Sequence, residues 1–165
     1  MRTNLLLKGC MAWLIFASAS ALAAPEANWP IPPKLIELPT PYGTLAVGES
    51  EYVYESKLKL DDTLLEPTIS GMINIHYAFS MPNAQAALVS ISRGNDTCPV
   101  SYRWVILRAD GYTISPEFGS CSEHIRVTAD SRKLTLQTPN PESPDTLDVY
   151  VFDGTSVKHL TKRTN

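Results

Sequence analysis

Three histidines, three cysteines, a Gly-Ser-Cys-Ser turn and one pair of adjacent aspartates are the residues of this 165-residue chain whose types and spacing invite a chemical reading. A zinc site needs His, Cys or carboxylate ligands at short, regular spacing on one face. His76, His124 and His159 fall in three different candidate strands, none with a second ligand at that spacing, and read as ordinary surface histidines. Gly119-Ser120-Cys121-Ser122 has the outline of a nucleophile turn, but a hydrolase elbow is Gly-x-Ser-x-Gly between a strand and a helix. Here the second glycine is missing and the neighbouring cysteine is expected to be bonded. Asp61-Asp62 reads as a turn, because neighbouring side chains in a turn or strand point apart instead of sharing a proton. The eight glycines are spread over turns and form no phosphate-cradling loop. The expectation is therefore a protein with no catalytic residue, no cofactor and no metal, and not an enzyme.

The cysteines carry a different message. Arg2 and Lys8 form a basic start, Met11 to Ala19 a short apolar run, and Ala21-Leu22-Ala23 places small residues where signal peptidase needs them. Residues 1–23 are expected to be a signal peptide, cut between Ala23 and Ala24. The apolar run falls short of the roughly 20 residues that span a bilayer, which argues against an uncleaved anchor. Cys10 precedes the apolar run, so it is not placed as a lipoprotein cysteine and leaves with the signal. Two cysteines remain, an even number in a chain addressed to an oxidising compartment. A Cys98–Cys121 disulfide is the prediction. The location expected is periplasmic or secreted.

Charge narrows the partners. Once Arg2 and Lys8 have gone, twelve basic residues face seventeen acidic ones, so the net charge moves from −3 to −5. A mildly acidic surface without a basic patch is a poor match for nucleic acid, whose affinity is set by phosphate neutralisation. It is disfavoured for an anionic membrane for the same reason.

The elements that position these residues are strands. Residues 24–43 are proline-rich and read as an extended arm, either a free spacer or docked through Trp29, Ile31, Leu35 and Ile36. A single domain is expected over 44–165. Period-two alternation marks strands at Tyr52–Leu60 and Thr68–Met81, with Gly71 as a bulge or bend. Residues 84–92 fit a strand better than a helix. Tyr102–Ala109 is apolar on both faces, which is the pattern of a central strand. Asp110-Gly111 signals a two-residue hairpin turn that would pair Ala109 with Tyr112 and Leu107 with Ile114. That register leaves the two cysteines two residues out of step, with a bulge near Pro116 to compensate. A turn at Ser131-Arg132 sets Val127 against Leu136. The loop 138–146 is a surface connection, and a last hairpin turns at Asp153-Gly154. The sum is an all-β chain, an antiparallel β-sandwich or barrel-like meander of about eight to ten strands with one disulfide. Asn95-Asp96-Thr97 matches a glycosylation sequon, a match without meaning in a bacterial protein.

Tyr102, Trp104, Tyr112 and Phe118 crowd the central hairpin, as a core cluster would; the functional alternative turns Trp104 and Tyr112 outward as binding anchors. The run Cys98-Pro99-x-x-Tyr102-Arg103-Trp104-Val105, then Asp110-Gly111, then Ser115-Pro116-x-Phe118-Gly119-Ser120-Cys121 resembles small exported proteins of Gram-negative bacteria. That resemblance covers about two dozen residues and implies export but no activity. A compact, disulfide-bonded chain without a catalytic constellation suits a protein-binding module, such as an inhibitor or immunity protein of the cell envelope. A carbohydrate- or small-ligand-binding β-domain is the alternative, and an envelope hydrolase the least favoured reading. A protein partner is expected, with no nucleic acid and no stable membrane anchor; the oligomeric state is open.

Overall fold

The computed structural model describes residues 28–94, 97–130 and 132–164. The expected signal peptide with its predicted Ala23/Ala24 cleavage site, Asn95 and Asp96 of the sequon, and Ser131 of the predicted turn lie outside the described residues. Twelve strands form three antiparallel four-stranded sheets. The front sheet contains Glu37–Thr40 (β1), Gly43–Gly48 (β2), Lys57–Leu60 (β3) and Thr63–Leu64 (β4), in that order. The central sheet contains Met72–Met81 (β5), Ala84–Ser92 (β6), Ser101–Arg108 (β7) and Gly111–Ile114 (β8), again in chain order. The back sheet has Arg126–Ala129 (β9), Leu134–Pro139 (β10), Thr146–Phe152 (β11) and Val157–Arg163 (β12), ordered β12-β11-β10-β9. The count exceeds the expected eight to ten because the proline-rich stretch contributes β1 and Thr63–Leu64 adds a short return strand.

The central sheet is buried on both faces. Ala87, Val89 and Ile91 of β6 with Val105 and Leu107 of β7 pack on Leu45 and Leu58 of the front sheet. Ala84, Ala86 and Leu88 with Tyr102, Trp104 and Ile106 pack on Leu134, Leu136, Tyr150 and Phe152 of the back sheet. Two-sided burial is why β6 and β7 read as continuous apolar runs. The strand expected over 84–92 is present, and so is the pairing of Val127 with Leu136.

The strand predicted at Tyr52–Leu60 is only half present. Its partner β2 ends at Gly48, which pairs with Lys57, so the ladder with β2 reaches no further back than Lys57. Val53–Glu55 forms a 3-10 turn instead, and Tyr52 and Tyr54 are exposed. The Thr68–Met81 strand begins at Met72. Gly71 (φ 145°) marks its entry, where a Cβ would come within 2.8 Å of the Ser92 carbonyl oxygen. The bulge itself falls later, where pairing jumps from Ile75↔Val89 to Ala78↔Ala87. Two residues, His76 and Tyr77, then oppose Leu88 alone, and the side-chain alternation changes face. Ile73 and Ile75 therefore serve the front core, whereas Tyr77, Phe79 and Met81 serve the back core.

The central hairpin differs from the expected register by two residues. Arg108 pairs with Gly111 and Leu107 with Tyr112, so Ala109-Asp110 is the two-residue turn. Carried down the ladder without a break, this register would set Cys98 opposite Cys121; the extra residue near Pro116 shifts them by one. The two are bonded, with Cα atoms 4.7 Å apart. The irregularity expected near Pro116 does occur: Ser115 donates to the Trp104 carbonyl, but Phe118 pairs with Tyr102, one extra residue on the returning chain.

Candidate functional site

The back face of the central sheet changes character along its strands. At the turn end it is Ala84, Ala86, Leu88, Trp104 and Ile106, covered by the back sheet. At the other end, Asn74, Ser90 and Tyr102 stand in cross-strand register, with Met72 beside Ser92. The N-terminal arm roofs this polar end. A cavity of about 400 Å³ lies beneath, floored by Asn74, Ser90 and Ser92, walled by His76 and Glu123, and roofed by Trp29 to Pro32.

Four contacts hold the roof. Leu35 exchanges both backbone hydrogen bonds with Ile75, each 2.9 Å. His76 Nδ1 donates to the Pro33 carbonyl. The Trp29 ring lies nearly parallel to His124, centroids 6.4 Å apart, and the Arg126 guanidinium sits 5.2 Å from its centroid. Of the four docking residues expected, Trp29 and Leu35 do hold the arm, but Ile31 is 94% exposed and Ile36 71%. Prolines suit this position because they lack donors and lie along an edge strand without extending its ladder.

Asn74, Ser90 and Ser92 make no side-chain hydrogen bond to protein among the described residues, although Ser90 is buried. Their donors and acceptors face the cavity, so its floor can recognise a polar group. Tyr102 is spent: its hydroxyl donates to the Ser122 carbonyl (2.8 Å), and burial pushes its pKa up. His76 is buried, not on a solvent face as expected, because the N-terminal arm covers the face it shares with Asn74. Burial lowers its pKa, with Lys34 adding to the effect and the Pro33 bond and Glu123 opposing it.

A second polar cluster sits where the hairpin meets the back sheet. Asp148, buried, accepts from Ser120 Oγ, from Asn140 Nδ2 (2.9 Å) and from His159 Nε2 (2.9 Å). Ser120 also bonds the Tyr150 hydroxyl, and His159 stacks on Tyr150. Burial works against ionisation of Asp148, but the three donors outweigh it and its pKa is lowered. This is not the order of a serine triad, in which the imidazole stands between hydroxyl and carboxylate. Here the carboxylate stands in the middle, and the cluster ties the disulfide hairpin to β11 and β12. Gly119 beside it has φ 124°, and a Cβ there would meet the Tyr102 ring at 2.9 Å.

The remaining candidate residues are structural. Asp61 and Asp62 occupy a turn with positive φ, and Asp61 accepts from the Thr44 amide. Trp104 is fully buried, so it is no outward anchor; the Tyr112 hydroxyl accepts from the Glu66 amide. No group of three potential metal ligands occurs among the described residues, and no helix there is long and apolar enough to cross a membrane. The bonded cysteines fit an oxidising, non-cytoplasmic environment. No family model matches the chain, and comparisons with curated proteins and with solved structures find no match either.

Proposed function

We propose that the chain is an exported protein-binding module of the cell envelope, periplasmic or secreted, of the inhibitor or immunity kind. Its contact surface is the arm and the cavity beneath it. The observation that supports this most directly is the rim: Ile31 stands 94% exposed beside a cavity whose polar floor makes no side-chain hydrogen bond to protein among the described residues. Met72, also exposed and lining the cavity, extends the apolar rim. Apolar contacts around a pocket that accepts one anchoring side chain are how small interfaces concentrate their energy. The hairpin's resemblance to small exported proteins of Gram-negative bacteria agrees with the compartment.

A second reading, a carbohydrate or other small polar ligand, draws on the free groups of Asn74, Ser90 and Ser92. It is weaker because the aromatic faces a sugar would stack on are taken: Trp29 lies against His124 and Arg126, and Tyr102 is buried. Capture from periplasmic extract under non-reducing conditions, using the mature protein and its Ile31→Asp and Ser90→Phe variants, separates the two. A defined protein retained by the wild type and lost with both variants is the expected result. No protein captured, together with retention on a glycan array, would overturn it in favour of the second reading.

A further inference from the structure

The back sheet ends in an edge strand unlike the others. β12 runs seven residues, Val157–Arg163, pairs with β11 on one side and has no strand on the other. The remaining sheet edges are short or obstructed: β1 has four residues and includes Pro39, β4 has two, and β8 and β9 have four each. β5 is broken by its bulge and covered at Ile75 by Leu35. Backbone bonds just beyond each end of β12 fix which of its groups are free. Asp153 donates to the Ser156 carbonyl (3.3 Å) and Thr164 to the Asp145 carbonyl (2.8 Å). Hydrogen-bonded pairs alternate along an antiparallel ladder, so Lys158, Leu160 and Lys162 turn their backbone groups to β11. Val157, His159, Thr161 and Arg163 point their N–H and C=O groups to the open side, where no backbone partner stands among the described residues.

The side chains sort by the same alternation. Lys158, Leu160 and Lys162 share one face with Val151, Val149 and Leu147 across the pair, so no acid stands beside them on β11, and β12 itself contains none. The acids of the flanking segments lie at the two ends. Asp153 is 3.7 Å from Lys158, an exposed ion pair of small worth that a better-placed carboxylate can replace. Glu142 and Asp145 belong to the loop before β11, and neither is within salt-bridge distance of Lys162 or Arg163. Leu160 is 59% exposed between the two lysines. Lysines on an edge discourage pairing, and here they act against a second copy of the chain: antiparallel self-pairing over all seven residues would set Lys158 against Lys162 twice. We propose that β12 is a docking edge for an extended acidic segment of a partner protein, which adds to the back sheet as a further strand. In strand addition the main-chain bonds supply affinity and alternate side chains supply specificity. The matching face of the segment reads acid–x–aliphatic–x–acid, with carboxylates opposite Lys158 and Lys162 and an aliphatic residue opposite Leu160. The edge is separate from the arm and its cavity, so it stands or falls independently of the contact proposed there.

The test is amide NMR titration of the mature, disulfide-bonded and isotope-labelled protein with a blocked seven-residue peptide. The peptide carries threonine at its odd positions and glutamate, valine and glutamate at its even ones. Shift changes should centre on the amides of His159, Thr161 and Arg163, and those N–H groups should exchange more slowly with solvent. Lysine in place of both glutamates turns two attractive cross-strand pairs into repulsive ones and should weaken binding about tenfold. Lys158→Glu with Lys162→Glu, both exposed, should reverse that preference. Methylating the peptide's third and fifth amides keeps its charge but removes donors aimed at β12, and should abolish binding. Binding that survived the methylation would be charge attraction without a strand, and would overturn the proposal. So would equal binding of the acidic and lysine peptides, shifts centred away from β12, or no binding of the acidic peptide. Self-association of the unliganded protein through β12 would overturn it in favour of a second copy as the occupant.

Discussion

The two faces of the central sheet make two different cores. The front core is aliphatic throughout its buried set, Leu, Ile, Val and Ala, from Leu45 and Leu58 through Ile75 to Leu107. The back core is built on aromatics: Tyr102, Trp104, Phe118, Tyr150 and Phe152, with Tyr77 and Phe79 at its edge. Two cavities lined by central-sheet residues open from this aromatic side, one at each end, and the buried Asp148 cluster lies there too. Aliphatic side chains interdigitate and close their space. Large planar rings leave gaps at their margins, and tyrosines bring hydroxyls that need partners. The front interface is therefore closed, and the back interface combines packing with open cavities and buried polar groups.

The sharpest way to break this contrast is to damage each core separately. Leu58→Ala, fully buried in the front core, should cost about 3 kcal/mol in urea unfolding while partner capture by the folded fraction stays unchanged. Ser90→Phe, which fills the arm cavity, should remove capture at a cost of about 1 kcal/mol. If Leu58→Ala removed capture as completely as Ser90→Phe, the division between a holding face and a binding face would be wrong.

How much of this was legible in the sequence depends on whether the deciding interaction was local. The alternation in 126–136 fixes a hairpin register correctly, because turn and pattern agree over a few residues. The Asp110-Gly111 signal misplaced its register by two, since the ladder seats Gly111 inside the strand opposite Arg108. Nothing local distinguishes the two registers, and the extra residue near Pro116 leaves the cysteines one residue out of step even in the observed one. The bulge at His76–Tyr77 was invisible for a related reason. Alternation runs unbroken from Ile69 to Met81, and the face changes only relative to β6. His76 is a separate case: the arm, distant in sequence, covers the face it shares with Asn74 and makes it a wall of the cavity. A usable signal was the polar set Asn74, Ser90 and Ser92 on strands otherwise rich in isoleucine, valine and leucine.

The clasp tests the hairpin on which both faces are built. Replacing Cys98 and Cys121 together by serine removes a loop closure worth about 3 kcal/mol in the chain-entropy description. The loss should appear as a lower urea midpoint, equal in size to that caused by reductant. A much smaller loss would mean that Tyr102–Phe118 pairing and the Ser120–Asp148 contact already fix the hairpin without the bond.

Asp148 tests the polar end of the back core. Asp148→Ala leaves the donors of Ser120, Asn140 and His159 without their acceptor, at a cost of about 2 kcal/mol. Its folded pKa lies below the unfolded value of 3.8, so its contribution is present above that value and is lost as pH falls through the lowered one. Wild type should lose stability below about pH 4 more steeply than the variant does. Glu117, at the front end of the same hairpin, adds to the acid loss in both proteins. Its carboxyl is held down to about 2, chiefly by the hydrogen bonds from Arg93, with Ser101 and Arg103 assisting. Comparing wild type with Asp148→Ala cancels that shared part and isolates the buried cluster.

The smallest effect expected is at the arm. The docked state holds His76 neutral: burial lowers its pKa below the ordinary 6.5, so the docked protein binds fewer protons than one with the arm released. Docking is therefore strongest above about pH 6.5 and weakens as pH falls below it, the reverse of a histidine that gains an acidic partner. His76→Phe keeps a ring under the arm but removes both the Pro33 bond and the titration. Trp29 reports the outcome, because undocking takes its ring away from His124 and Arg126 into water. Between pH 7.5 and 5.5 the wild type should show a red shift and stronger iodide quenching of Trp29 emission, with buried Trp104 as the constant background. The variant should show neither change with pH, and its emission should already be partly shifted, since one of the four contacts holding the roof is gone. A pH response that survives in His76→Phe would overturn the assignment of the effect to His76.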